Sequence, residues 1–213
     1  MAVPVALQAL IERLAQLAPV RAFYLAGGTG LALHLGHRRS VDLDWFSRAN
    51  RLDFEGRRSL LAQLKRLPHW HVIEAKDGTV HGEVGTVRVS WFWYPQPLVK
   101  QPVRRAGARI ASLEDIGLMK LGAIIGRGSK KDFIDLYAIC QRVPLARLLA
   151  LGPRKFPEAR DFPLQALKAL CFFDDAERDP PSVTATSWRW DDIKRFFTRE
   201  ARALTQRSLL ATR

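Results

Sequence analysis

Apolar residues recur every three or four positions in several segments of the chain, and this spacing is typical of amphipathic helices. The first such segment begins near Val3 and stops at Pro19, and another stops at Pro68. Proline cannot continue a helix, so both residues mark helix ends. The pattern predicts helices over 3–18, 53–67, 112–125, from 130 onward, 163–173 and 188–204.

Shorter apolar runs between these segments predict β-strands over 20–26, 41–46, 71–75 and 84–94. The strands fall in the first half, and a proline-rich stretch after Tyr94 separates them from a mainly helical second half. The pattern therefore predicts an α+β fold, with a core domain over 1–98 and a mainly helical domain over 99–213. Pro180-Pro181 predicts a break before the last helix.

The composition is that of a globular protein, with 213 residues, 47% hydrophobic residues and a formal net charge of +13. Such a charge favours polyanionic partners such as RNA or nucleotides, although a solvated basic face explains it equally well. Cys140 and Cys171 lie in apolar helical patterns and are expected to be small core residues. Neither a signal peptide nor a membrane-spanning run is predicted, so the expected compartment is the cytoplasm.

A glycine-rich turn, Gly27-Gly28-Thr29, follows the first predicted strand and precedes a short helical segment. Glycine permits close approach of a ligand to the backbone, and the start of a helix favours phosphate. A purely structural turn is the alternative.

Two carboxylates, Asp42 and Asp44, lie two residues apart in the second predicted strand, where alternate residues share a face. Neighbouring carboxylates on a buried strand repel each other unless a cation is bound, and Mg²⁺ with substrate phosphates is the natural occupant. The alternative is an edge strand whose aspartates are solvated beside Arg38 and Arg39.

Charged residues interrupt two apolar helices of the second half. Lys120 either extends to the surface or binds an anion in a cleft. Asp132 follows Ser129 by three residues and is expected mainly to cap the helix. Asp135, one turn later among apolar neighbours, is either a catalytic base or a partner of Lys120.

In combination, these motifs resemble the AbiEii/AbiGii toxin family of nucleotidyltransferases. The resemblance lies in residues 23–29, Gly36 to Ser47, Lys120 and the segment from Gly126 to Tyr137. It implies a minimal nucleotidyltransferase fold like that of DNA polymerase β, with a mixed sheet and flanking helices. It also implies a type IV toxin–antitoxin or phage-defence setting with a cognate antitoxin, and nucleotide transfer from an NTP to an acceptor hydroxyl.

The resemblance also implies residue roles. Gly28 and Thr29 would bind phosphate, Asp42 and Asp44 would hold magnesium, Lys120 would bind the triphosphate, and Asp135 would assist the attacking hydroxyl. One departure stands out. Polymerase-β-like transferases often carry a third carboxylate on a later strand, and the matching residue here is Ser90. Asp135 or Asp132 would then supply that function.

Two hypotheses follow from the motifs and their resemblance to this family. The first is a magnesium-dependent nucleotidyltransferase whose expected acceptor is a tRNA 3′ end, with a protein hydroxyl (AMPylation-type transfer) as the rival acceptor. The second is a catalytically silent module that keeps the fold and binds nucleotide or RNA, which the serine at position 90 motivates.

Overall fold

The structure, a computed structural model, describes residues 3–179 and 188–211. The chain divides into two compact units, Met1–Ser112 and Leu113–Arg213. The division therefore falls later than the boundary predicted after residue 98, because two further strands of the intervening segment belong to the first unit. The predicted break at Pro180-Pro181 lies outside the described residues.

The first unit contains a sheet with helices between its strands. In chain order its elements are α1 (Val5–Gln16), a 3-10 helix (Ala18–Ala22), β1 (Tyr24–Ala26), α2 (Gly27–Leu35), β2 (Leu43–Ser47), α3 (Phe54–Leu64), β3 (Trp70–Lys76), β4 (Thr79–Val84), β5 (Val87–Trp93), β6 (Val103–Arg105) and β7 (Ala108–Ile110).

Seven strands of the described residues form one mixed sheet in the order β3-β4-β5-β2-β1-β7-β6. Strand β2 lies in its interior, antiparallel to β1 and parallel to β5. Leu43 and Trp45 on β2, and Val89 and Trp91 on β5, are buried in the hydrophobic core. The alternate residues of these strands lie on the opposite face, where Asp44 and Ser90 are half-buried. The predicted α+β class is confirmed.

One strand prediction differs from the structure, and three strands were not predicted. The run predicted over 20–26 is a 3-10 helix followed by a three-residue strand. Strand β4 was not predicted, because His81, Gly82 and Glu83 interrupt any apolar pattern. A Cβ at Gly82 would overlap the Trp70 ring, so this glycine is needed for β3 and β4 to pack closely. Strands β6 and β7 were also missed because they are short and rich in arginine.

The described part of the second unit is helical. Its elements are α4 (Leu113–Gly126), α5 (Lys130–Cys140), α6 (Leu145–Lys155), α7 (Phe162–Ala169), α8 (Asp174–Arg178) and α9 (Trp190–Ala211). An aromatic cluster joins α5 to α9, with the Phe133 ring centroid 5.8 Å from those of Trp190 and Phe197. Burial of these large rings supplies much of the hydrophobic stabilisation of this unit.

The two cysteines are free, with Cys140 half-buried and Cys171 exposed. Burial raises the pKa of the Cys140 thiol to about 12, so this thiol stays protonated at neutral pH. The expectation that Cys171 is a core residue is wrong, since it lies after α7 at the end of the amphipathic stripe. Among the described residues no helix is long and apolar enough to cross a membrane.

Candidate active site

The glycine turn lies at the junction where β1 ends and α2 begins. Gly27 has φ +62°, a left-handed conformation that favours glycine. A Cβ at Gly27 would overlap the carboxylate of Asp44, and a Cβ at Gly28 would lie 2.5 Å from the Arg38 guanidinium. The conformation at Gly27 requires glycine, and the lack of a side chain at Gly28 lets the Arg38 guanidinium lie against the first turn of α2, whose backbone amides have no partners within the helix. Such amides and the helix dipole favour a phosphate group.

Thr29 is fully buried and links the glycine turn to the segment before β2. Its hydroxyl donates to the carbonyl oxygen of Asp42 at 2.5 Å and lies 2.9 Å from Ser40 Oγ. The hydroxyl is therefore used to hold Asp42 beside the turn. Any contact of Thr29 with phosphate then falls to its backbone amide.

The two aspartates flank the buried residue Leu43. Asp42 directly precedes β2 and is exposed, whereas Asp44 is half-buried inside the strand. Asp44 pairs with Ala26 on β1 and with Ser90 on β5. Because β2 is an interior strand, the alternative of a solvated edge strand is wrong.

Ser90 occupies the position beside Asp44 on the next strand, and its partner is a histidine. Its Oγ lies 2.8 Å from Nδ1 of His81 on β4, and the two residues are paired in the sheet register. The His81 ring packs edge-on against Phe92, with 5.3 Å between ring centroids. The sequence motifs gave His81 no role, because the strand that brings it to Ser90, β4, was not predicted.

The acidic residues here suit a metal ion that is shared with a substrate. No group of three or more histidine, cysteine, aspartate or glutamate side chains comes together to hold a metal within the described residues. A protein that offers two carboxylates, Asp42 and Asp44, leaves the remaining positions to phosphate oxygens and water. This donor set fits Mg²⁺, which typically binds one or two carboxylates and the phosphates of a nucleotide.

The second unit holds Lys120 between two aspartates of α5. Lys120 Nζ lies 2.8 Å from Asp132 Oδ1 and 2.6 Å from Asp135 Oδ2. Both aspartates are buried, as is Lys120. The surface position considered for Lys120 is therefore wrong, and Asp135 is its partner. Burial by itself lowers the pKa of Lys120, but attraction to Asp135 and Asp132 outweighs it and raises that pKa.

Asp132 has a second cationic neighbour in Arg127. The Arg127 Nε lies 2.9 Å from Asp132 Oδ2, and Ser129 Oγ donates to the same oxygen at 2.9 Å. Burial raises the pKa of Asp132, but Lys120 and Arg127 outweigh that effect and lower it. These contacts, rather than the predicted capping of α5, account for the buried position of Asp132. The sequence motifs gave Arg127 no role, although it lies in the turn that precedes this aspartate.

The predicted site residues thus fall into two groups. Gly28, Thr29, Asp42 and Asp44 meet at the start of α2 in the first unit. Lys120 and Asp135 meet in the second unit. Each group is a compact arrangement of the kind that binds a charged ligand.

Comparison with known proteins supports the same interpretation of the motifs. The family model described as nucleotidyl transferase AbiEii toxin, type IV TA system, matches residues 9–208. The chain belongs to this family. It is therefore an enzyme of nucleotidyl transfer, and membership implies an NTP substrate and a cognate antitoxin. An uncharacterised protein of Aquifex aeolicus is 31% identical over 196 residues, which cover 90% of this chain and 92% of that protein.

Solved structures share the fold of this AbiEii-family chain. MenT4, a nucleotidyltransferase toxin of Mycobacterium tuberculosis, superposes with a TM-score of 0.60 at 15% identity, covering 92% of this chain and 82% of MenT4. The antibiotic-resistance factor ANT(2″)-Ia superposes with a TM-score of 0.55 at 19% identity, and the match covers 71% of this chain and 91% of the ANT(2″)-Ia chain. The polymerase-β-like nucleotidyltransferase fold that the motifs predicted is confirmed.

Proposed function

We propose that this AbiEii-family chain is a magnesium-dependent enzyme that transfers a nucleotide from an NTP to the 3′ end of tRNA. The observation that carries the proposal is the position of Asp44. Its carboxylate lies against Gly27 at the start of α2, so that a carboxylate and a phosphate-binding turn are adjacent. A nucleoside triphosphate with its metal ion is a ligand that uses both features.

The reaction is an in-line displacement at the α-phosphorus. The acceptor hydroxyl attacks, the bond to the bridging oxygen breaks, and pyrophosphate leaves. Magnesium, when bound, neutralises phosphate charge and orients the phosphates for this attack. Asp42 and Asp44 hold the metal, and the amides of Gly28 and Thr29 bind phosphate oxygens. The hydrogen bond from Thr29 to the Asp42 carbonyl joins the turn to β2 before substrate binds, and such preorganisation lowers the cost of stabilising the transition state.

Lys120 is the proposed ligand of the triphosphate in the second unit. Its ammonium group is positioned by two carboxylates at 2.8 and 2.6 Å. An ammonium held in this way keeps its charge, because neighbouring carboxylates oppose the effect of burial. Asp135 is proposed to assist the acceptor hydroxyl by positioning rather than as its base, because its carboxylate is engaged by Lys120.

The tRNA acceptor is supported by charge. The chain has a net charge of +13. In the second unit a groove of about 510 Å³ runs along α9, lined by Lys194, Arg195, Arg199 and Arg202. A stripe of basic side chains suits the phosphate backbone of RNA, and the single-stranded 3′ end is the part of tRNA that can enter a cleft. We also propose the cytoplasm, where tRNA and free thiols coexist.

The test is transfer of label from NTPs in the presence of magnesium. Purified protein is incubated with each α-labelled NTP and either total tRNA or a tRNA-free cell lysate. We expect label on the tRNA 3′ end with the wild type and none with Asp44→Ala. Removal of magnesium with a chelator should abolish the signal, and its restoration should recover it.

A protein hydroxyl is the rival acceptor. Label found only on lysate protein would overturn the tRNA proposal while leaving nucleotidyl transfer in place. Full transfer by Asp44→Ala would overturn the assignment of the site. A wild type that binds NTP and tRNA but transfers nothing to either fraction would support the silent binding module.

A further inference from the structure

We propose that His81 and Ser90 form the path by which the proton leaves the attacking hydroxyl, with His81 as its acceptor. This inference rests on the proposed transfer reaction and assigns a function to two residues that the reaction so far leaves unused.

Ser90 is the neighbour of Asp44 in the sheet. The parallel register between β2 and β5 pairs Asp44 with Ser90, and both side chains leave the sheet on the face opposite its hydrophobic core. Adjacent strands are about 4.8 Å apart. A hydroxyl group therefore lies one strand away from the carboxylate that is proposed to hold the metal beside the α-phosphate.

The next strand supplies a base behind this hydroxyl. The antiparallel register between β4 and β5 pairs His81 with Ser90, and Ser90 Oγ lies 2.8 Å from His81 Nδ1. In the tautomer that carries its hydrogen on Nε2, Nδ1 accepts the serine proton. Phe92 packs against the imidazole ring and restricts its rotation. Asp44, Ser90 and His81 thus form a row across three adjacent strands.

Two proton transfers along this row accompany the attack on the α-phosphorus. As the acceptor oxygen bonds to the α-phosphorus, its proton passes to Ser90 Oγ, and the proton of Ser90 passes to His81 Nδ1. The electron pair of the broken phosphorus–oxygen bond leaves with pyrophosphate. The imidazolium that forms returns its proton to solvent. Imidazole suits this role because it exchanges protons near neutral pH.

Asp135 is less suited to receive this proton directly. It is fully buried, and its Oδ2 lies 2.6 Å from Lys120 Nζ. Protonation of that carboxylate would break one of the two buried ion contacts of Lys120 and leave the ammonium group with Asp132 alone, which costs stability. The half-buried His81 differs in this respect, because its Nδ1 contact is to a neutral hydroxyl and protonation breaks no ion pair there.

The charges around His81 are largely balanced by one another. Two ion pairs lie on the same sheet face, Glu74 with Lys76 at 3.0 Å and Glu83 with Arg88 at 3.6 Å. Asp44 lies beyond Ser90 on β2.

The test replaces His81 by Asn, which keeps a hydrogen-bonding group near the position of Nδ1 but does not accept a proton. With labelled NTP, magnesium and acceptor, we expect kcat of His81→Asn to fall about 100-fold with unchanged KM for NTP. The decline of kcat toward acidic pH, caused by protonation of the base, should disappear. His71→Asn on the exposed strand β3 is the matched control and should behave as wild type.

Ser90→Asp provides the rescue. A carboxylate beside Asp44 would accept the proton directly, so Ser90→Asp/His81→Asn should be as fast as Ser90→Asp alone. A second readout needs no activity. In ¹⁵N spectra of the nucleotide-free protein, Ser90→Ala should shift the imidazole signal of His81 and leave that of His71 unchanged.

Several outcomes overturn the proposal. A kcat of His81→Asn within about twofold of the wild type, with its acid limb retained, removes the proton path. If His81→Asn lowers kcat as much in the Ser90→Asp background as it does in the wild-type background, the role of His81 is structural. If His81→Asn does not fold, His81→Gln is judged by the same criteria. A wild type that transfers no nucleotide overturns the proposed function and this path together, whereas a normal rate in His81→Asn overturns the path alone.

Discussion

Lys120 Nζ lies 2.6 Å from Asp135 Oδ2, and the two groups are buried in the helical unit. Asp132 completes the arrangement at 2.8 Å from the same nitrogen. Two carboxylates around one ammonium leave an excess of negative charge, which Arg127 offsets at its exposed end. This cluster is therefore close to neutral overall and stabilises the unit, and Lys120 is its proposed contact with the triphosphate.

Removal of Asp135 should destabilise the protein. We expect Asp135→Ala to lower the free energy of unfolding by about 3 kcal/mol, because it leaves a buried ammonium with one carboxylate instead of two. Asp175→Ala is the control, since Asp175 forms an exposed pair with Arg178 and its removal should cost less than about 1 kcal/mol. Urea unfolding of the two variants measures the difference. Equal losses would show that the buried cluster contributes no more than a surface pair.

Stability should fall in acid through Asp132. The pKa of this carboxyl is lowered in the folded protein from its ordinary value of 3.8 by Lys120 and Arg127, against the effect of burial. Such a group stabilises the fold above its unfolded pKa, and the contribution is lost as pH falls through the folded pKa. We therefore expect the stability difference between wild type and Asp132→Asn to shrink below about pH 4.

Urea unfolding over a series of pH values measures this effect, with Asp174→Asn at an exposed position as the control. A difference between wild type and Asp132→Asn that stays constant from neutral to strongly acidic pH would contradict the assignment of the lowered pKa to Asp132.

Gly27 and Gly85 form a matched pair of glycines. Their φ values are +62° and +61°, but a Cβ at Gly27 would overlap the Asp44 carboxylate, whereas a Cβ at Gly85 would meet nothing within 4 Å. Gly85→Ala should cost only the backbone term, about 1 kcal/mol. Gly27→Ala should cost more and should also displace Asp44, reducing transfer by at least about tenfold. Thermal unfolding and the labelled-NTP assay separate the two effects. Unchanged transfer by Gly27→Ala would contradict the proposed position of Asp44 in the site.

The basic groove on α9 should contribute to RNA binding. We expect Arg202→Glu to weaken the affinity for tRNA. The slope of log affinity against log salt concentration should also fall, by about one for each phosphate that the variant no longer binds. Arg58→Glu on α3 is a control of equal charge change at another exposed position. Fluorescence anisotropy at several salt concentrations measures the tRNA affinity of both variants and of the wild type. Equal losses from the two variants would indicate an effect of net charge rather than of the groove.

The sequence by itself determined the parts whose signals are local. Periodic apolar residues predicted α1, α3, α4 and α9, because a helix repeats its buried face every three or four residues. The glycine turn and the aspartate pair could be identified from the sequence because each motif spans only a few consecutive residues. The family resemblance singled out Ser90 as the residue that matches a third carboxylate, and the sheet register pairs it with Asp44.

Only the tertiary structure decided the relationships that depend on distant contacts. Strand β4 could be assigned only from its pairing with β5. That pairing also brings His81 into contact with Ser90. The choice between a surface position and a buried ion pair for Lys120 depended on how α4 packs against α5, since the spacing of residues along one helix does not specify the neighbouring helix. Charge, hydrogen bonding and burial act between residues brought together by folding, so the chemistry of these side chains could be assigned only when their neighbours were known.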